Sequence, residues 1–259
     1  MTHPVIEIDD LSYQYPSAPA PTLHGLSFAV APGEFVSVVG PSGAGKTTLL
    51  NCMSGLTQPT GGEVRLDGER VTEPSRRIAV VFQDYSRSLF PWMTAEKNIA
   101  LPLKSRGLHD DEARDRVRES LSVVGLTKHG SKYPWELSGG MQQRVAIARA
   151  LALQPHLFIM DEPMASVDAQ TRTDLEDLVL GIWAERRISV VFVTHDIDEA
   201  IYMADRVVVL STPPTTVHQV FDIPLTRPRD QIRTKEDPQF ARLRAHLFEQ
   251  IRVLRSRQH

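Results

Sequence analysis

The chain has 259 residues, 41% hydrophobic and 24% charged, enough apolar residues for one large core or a core plus a subdomain, which argues against disorder. Its 29 basic and 32 acidic residues leave a formal charge of −3, so there is no broad basic surface to hold nucleic acid by counterion release. A single cysteine, Cys52, excludes an intrachain disulfide, Met1 to Asp10 lacks the pattern of a targeting segment, and no stretch approaches the roughly 18 apolar residues of a membrane helix. A cytosolic address is expected, and any work at a membrane would go through docking onto another protein.

Val5 to Tyr15, Leu23 to Val30 and Glu63 to Asp67 alternate apolar and polar residues with Gly and Pro interruptions, the pattern of a small antiparallel sheet. Phe35 to Val39 is instead a short run rich in β-branched residues, as are Ile78 to Phe82, Leu157 to Met160, Val190 to Val193 and Val207 to Leu210. Such runs predict buried parallel strands in an α/β fold.

Directly after the first run comes Gly40-Pro41-Ser42-Gly43-Ala44-Gly45-Lys46-Thr47, the complete G-x-x-x-x-G-K-[S/T] phosphate loop in its required strand-then-helix context. The glycines let successive N–H groups and the helix start face an anion, Lys46 reaches the outer phosphates, and the Thr47 hydroxyl can ligate Mg²⁺. The adjoining Thr48 is assigned to nucleotide binding with the loop.

Between Ser86 and Leu137 the strand signal disappears, and Ala113, Val117, Leu121 and Val124 recur at helical spacing before Gly125, which predicts an inserted helical subdomain. Leu137-Ser138-Gly139-Gly140-Met141-Gln142-Gln143-Arg144 then opens a helix with Met141, Val145, Ala148 and Ala152 as apolar positions. A serine and two glycines at a helix start expose N–H groups and a positive dipole end, a second anion site apart from the phosphate loop. Leu157 to Met160 ends in Asp161-Glu162, which delivers both carboxylates to the C-terminal strand edge where ligands of open α/β sheets sit. Asp161 is expected to hold Mg²⁺ through water, and Glu162 to orient or deprotonate the attacking water. Beyond the last strand, Pro213 to Pro228 reads as a connecting stretch, and Phe240, Leu243, Leu247, Ile251 and Leu254 mark one face of a final helix capping the core.

These readings give a P-loop NTPase core of mainly parallel sheet with an N-terminal antiparallel β subdomain in residues 1–85 and 141–212. A helical subdomain fills 86–140 and a C-terminal extension 213–259. In their order the motifs resemble the ATP-binding subunits of ABC transporters over nearly the whole chain to about Leu210. The resemblance implies that Gln83 is the Q-loop glutamine, reporting on Mg²⁺ and water, and that Ala165-Ser166-Val167-Asp168 is the D-loop, with Asp168 near nucleotide. It implies that His195 is the switch histidine holding the γ-phosphate and that Tyr15 stacks on adenine, with Tyr13 as competitor. Met141, Thr47 and Val167 depart slightly from the commonest motifs, and none removes a catalytic group.

The resemblance further implies a head-to-tail dimer, each ATP lying between one phosphate loop and the partner's Ser138-Gly139-Gly140 helix end. Phe82 to Trp92 and Pro228-Arg229-Asp230 resemble the nitrate, sulfonate, taurine and aliphatic-compound importers of bacteria. Implied partners are a second ATP-binding subunit, a transmembrane permease and, indirectly, a periplasmic solute-binding protein, at the cytoplasmic face of the cell membrane. Leu89, Phe90 and Trp92 are expected to line a groove for a short permease helix. A soluble ABC ATPase acting on nucleic acid or ribosomes usually shows paired cassettes, a coiled-coil insertion or zinc-binding cysteines, none of them present here. A small-molecule P-loop kinase leaves the Ser138 helix start unexplained.

Overall fold

The apolar runs become the interior of a six-stranded sheet in the computed structural model, which describes residues 3–84 and 88–256. β3 (Phe35–Val39), β6 (Ile78–Val81), β7 (Leu157–Asp161), β8 (Ser189–Val193) and β9 (Arg206–Leu210) are parallel, in the order β9-β3-β8-β7-β6. Both faces of this sheet are covered. Phe35 and Val39 join a core shared with helices, whereas Val36 and Val38 join a second core on the opposite side, so the run has no polar alternation to show.

The second core is closed by α1 (Lys46–Met53) and an antiparallel sheet of β1 (Ile6–Tyr13), β2 (Leu23–Val30), β4 (Gly61–Leu66) and the short β5 (Glu69–Arg70), ordered β2-β1-β4-β5. The helical core draws on α2 (Ala95–Ser105), α3 (Asp110–Val123), α4 (Gly139–Leu151), α5 (Ala169–Arg186), α6 (Ile197–Met203) and α8 (Pro238–Ser256), with the short α7 (Arg233–Glu236) before the last. In α3, Ala113, Val117 and Leu121 are buried with Val124 just beyond, as their spacing predicts. Phe240, Leu247, Ile251 and Leu254 of α8 are buried in that core, Leu243 partly so.

One segment differs from its sequence reading. The stretch Pro213 to Pro228 contains β10 (Val217–Asp222), which pairs antiparallel with β9 and ends the large sheet. An edge strand needs only half an apolar face, so Val217, Val220 and Phe221 between prolines carry a weak signal.

Candidate functional site

Five parallel strands end at one edge, and the order β3-β8-β7-β6 alone gathers the candidate residues there. β3 runs into Gly40, β6 leads to Gln83, β7 ends on Asp161 with Glu162 next, and β8 is followed by Thr194 and His195. Gly45 sits at φ +69, and a Cβ there would come within 2.8 Å of Leu23 Cδ2 and 2.9 Å of Thr22 Cγ2, so only glycine fits. α1 then starts with no side-chain cap, which leaves its first amides for a ligand. Buried Lys46 donates from Nζ to the carbonyls of Gly40 and Pro41, both at 3.1 Å. Burial lowers its pKa, Glu162 and Asp161 oppose that, and Arg255 at the end of α8 adds to it.

Thr47 Oγ1 donates to Asp161 Oδ2 at 3.2 Å. Burial pushes the Asp161 carboxyl up, against the Thr47 hydrogen bond and Lys46, with Glu162 acting in the upward sense. A hydroxyl beside a carboxylate is a hard-oxygen pair of the kind Mg²⁺ accepts alongside substrate phosphates, so these residues fit that ion.

Glu162 is the hub of the site. It lies in the left-handed region at φ +43, its N–H held by the Val193 carbonyl at 2.8 Å. Its Oε2 accepts from Gln83 Nε2 at 3.2 Å and lies 3.0 Å from His195 Nδ1. The His195 side chain is 62% exposed, free to turn toward a ligand. Tyr15 keeps 41% of its surface exposed while its hydroxyl pairs with Thr48 Oγ1 at 2.9 Å and Tyr13 meets its ring edge-on at 4.9 Å. Thr48 is thus a buried support for Tyr15, and of the two tyrosines Tyr15 presents the more open face.

Four expected residues stand apart. Among the described residues, Ser138, Gly139, Gly140 and Asp168 make no hydrogen bond or ion pair with the phosphate loop, Asp161 or Glu162. Ser138 Oγ caps α4 by accepting from Met141 N at 3.3 Å, and Gly140 is so close to α5 that a Cβ would lie 2.3 Å from Thr171 Cγ2. Asp168 caps α5, accepting from Thr171 N at 3.0 Å and Thr171 Oγ1 at 2.6 Å, which holds its carboxyl below the usual range. Leu89 corrects an expectation: it is buried in the helical core, while Phe90 and Trp92 remain on the surface with rings 5.4 Å apart. Tyr85, Ser86 and Arg87 lie outside the described residues.

Sequence reasoning missed Arg172, Thr194 and Glu199. Thr194 Oγ1 donates to buried Glu199 Oε2 at 2.6 Å, and Arg172 reaches both Asp196 and Glu199 at 3.5 Å. The one available signal was a glutamate beginning the apolar run Ala200 to Met203.

A glycine loop after a central strand, with a carboxylate pair ending a strand of the same sheet, defines a P-loop nucleoside triphosphatase. The sequence matches the ABC transporter family over residues 23–165. It is 45% identical to the nitrate import ATP-binding protein NrtD of Synechococcus elongatus over 241 residues, 92% of this chain and 87% of that protein. It is 43% identical to the aliphatic sulfonates import ATP-binding protein SsuB of Bacillus anthracis, covering 88% of each chain. The fold superposes on a dimeric ATP-binding cassette in a post-hydrolysis state bound to ADP and phosphate, with TM-score 0.74, 33% identity, and 84% and 98% of the two chains covered. The chain belongs to the ABC transporter family, as an ATP-binding subunit that couples ATP hydrolysis to transport.

Proposed function

We propose that this subunit powers bacterial import of a small solute of the nitrate, sulfonate or taurine kind, working as a head-to-tail pair beneath a membrane permease. The observation that carries the reading is one phosphate-binding half-site together with a second anion-receptive helix start, Ser138 to Gly140, that among the described residues makes no hydrogen bond or ion pair with it. A symmetric partner joins such halves into two composite sites. The import functions named for NrtD and SsuB support the solute class, and the permease would receive its solute from a periplasmic binding protein. No described helix is long and apolar enough to cross a membrane, and in the proposed assembly the subunit sits at the cytoplasmic face on the permease.

In this mechanism Lys46 and the first amides of α1 hold the outer phosphates, and the open face of Tyr15 takes the adenine. Thr47, with Asp161 and Gln83 acting through water, would hold Mg²⁺, which when bound would neutralise charge developing on the phosphates. Glu162 orients the attacking water, and His195 leaves it to meet the γ-phosphate. Glu162→Gln should keep ATP affinity, lower turnover by about 10² or more, and accumulate an ATP-bound dimer. A wild-type hydrolysis rate in that variant sinks the assignment.

The permease contact is proposed at a cavity of about 400 Å³ lined by Ala79, Phe90, Leu101, Pro102, Arg149 and Leu153, with Trp92 beside Phe90. Its mainly apolar walls, with one half-buried arginine, suit a short amphipathic helix. Trp92→Ala and Phe90→Ala should lose co-purification with the permease while keeping thermal stability and basal ATPase. A large drop in melting temperature without selective loss of binding would assign these rings to the fold.

A further inference from the structure

The first turn of α5 faces two ways. Thr171 packs against Gly140 at the start of α4. One residue on, Arg172 extends Nη1 to Asp196 Oδ2 and Nε to Glu199 Oε1, each at 3.5 Å. Those carboxylates belong to the turn that carries His195. Glu199 is only 6% exposed and takes the Thr194 hydroxyl at 2.6 Å, and Thr194 Oγ1 accepts in turn from Asp196 N at 3.0 Å. Asp196 Oδ1 caps α6 through the amides of Asp198 at 2.8 Å and Glu199 at 3.2 Å. The residues on both sides of His195 are therefore tied to one buried carboxylate, and that carboxylate is tied to α5.

Arg172 is the cation facing Glu199, against Asp196 from the same turn and Glu176 from α5. Glu176 is engaged elsewhere, by Lys235 Nζ at 3.5 Å and Gln231 Nε2 at 2.9 Å from the C-terminal extension. Arg172 Nε is buried and makes no hydrogen bond, although Glu199 Oε1 is 3.5 Å away. A buried donor left short of its acceptor favours any movement of a few tenths of an ångström that closes the gap.

We propose that Arg172 and Glu199 are positioning residues for hydrolysis. The pair sets where His195 stands relative to Glu162, and because Arg172 shares a helix turn with Thr171, that position responds to the packing of Gly140. In a head-to-tail dimer Gly140 serves the partner's nucleotide, so one site's occupancy reaches the other site's histidine through a single helix turn. The inference rests on the reading of Glu162 and His195 as hydrolytic machinery.

The test compares full-length Arg172→Ala, Arg172→Lys and Glu199→Gln with Glu162→Gln for ATP turnover, KM and direct nucleotide binding. In Arg172→Ala, kcat should fall about tenfold, as for a group displaced by a fraction of an ångström, with KM and affinity within about twofold. Arg172→Lys should recover part of the loss. Glu199→Gln keeps an acceptor for Thr194 but loses the charge for Arg172, and should fall between. Wild-type kcat in folded Arg172→Ala alongside inactive Glu162→Gln overturns the positioning role alone, whereas a wild-type rate in Glu162→Gln overturns both readings. Equal loss of kcat and nucleotide binding, or no recovery in Arg172→Lys, also overturns it. If Arg172→Ala does not fold, an unchanged kcat in Glu199→Gln does the same.

Discussion

Glu199 holds a carboxyl where water barely reaches, and burial raises its pKa to about 7, against the Thr194 hydrogen bond and Arg172, with Asp196 and Glu176 adding to the rise. Between the ordinary value of 4.5 and about 7, the folded chain keeps a proton that the unfolded chain has lost. Stability therefore falls as pH rises through that window, by up to about 3 kcal/mol from this group, and Glu176 shifts in the same sense. Glu199→Gln should lose less stability between pH 5 and pH 8 than the wild type, measured as urea midpoints. Equal changes in the two proteins would contradict the shift. Lys46, Asp161 and Glu162 could be proposed from the sequence because their chemistry constrains type and spacing along the chain, and His195 because the motif order resembles the family. Glu199 and Arg172 could not, because their pairing joins α5 to α6, and nothing in a one-dimensional pattern separates a buried carboxylate from a solvated one.

At the scale of elements, the start of α4 comes close to the first turn of α5 at Gly140. A Cβ on Gly140 would lie 2.3 Å from Thr171 Cγ2, whereas Thr171 Cβ and Oγ1 are at an ordinary 3.6 and 3.7 Å. Gly140→Ala should therefore cost about 1–3 kcal/mol by overpacking. Thr171→Ser removes the clashing methyl and keeps the hydroxyl for Asp168. In that background Gly140→Ala should be neutral or stabilising, since alanine exceeds glycine in a helix by about 1 kcal/mol. A penalty that persists with Thr171→Ser would mean that Gly140 is required for some other reason. The faces of α3 and α8 were readable from their apolar period, and the start of α4 from its serine cap and the glycines after it. β10 was not, since an edge strand between prolines is defined by its pairing with β9 more than by its own residues.

At the scale of the whole molecule, Lys46 and Ser138 stand at two helix starts that no hydrogen bond or ion pair joins among the described residues. Ser138→Arg and Lys46→Ala chains should each be inactive alone. Mixed, they form heterodimers with one intact composite site, and turnover should return; absence of recovery in verified heterodimers would count against shared sites. The fold and the phosphate-loop half could be read from the residues of one chain, whereas the shared site was expected only through the family resemblance, because in the proposed pairing half of its geometry belongs to a second copy. The separation of the two helix starts has a consequence in inheritance. Two defective alleles of this gene should complement each other in one cell when their lesions fall on opposite halves, and fail to when they share a half. Growth on the transported solute, scored over pairs of alleles, would sort residues into those halves without any structure, and complementation between two lesions in the phosphate loop would refute the division.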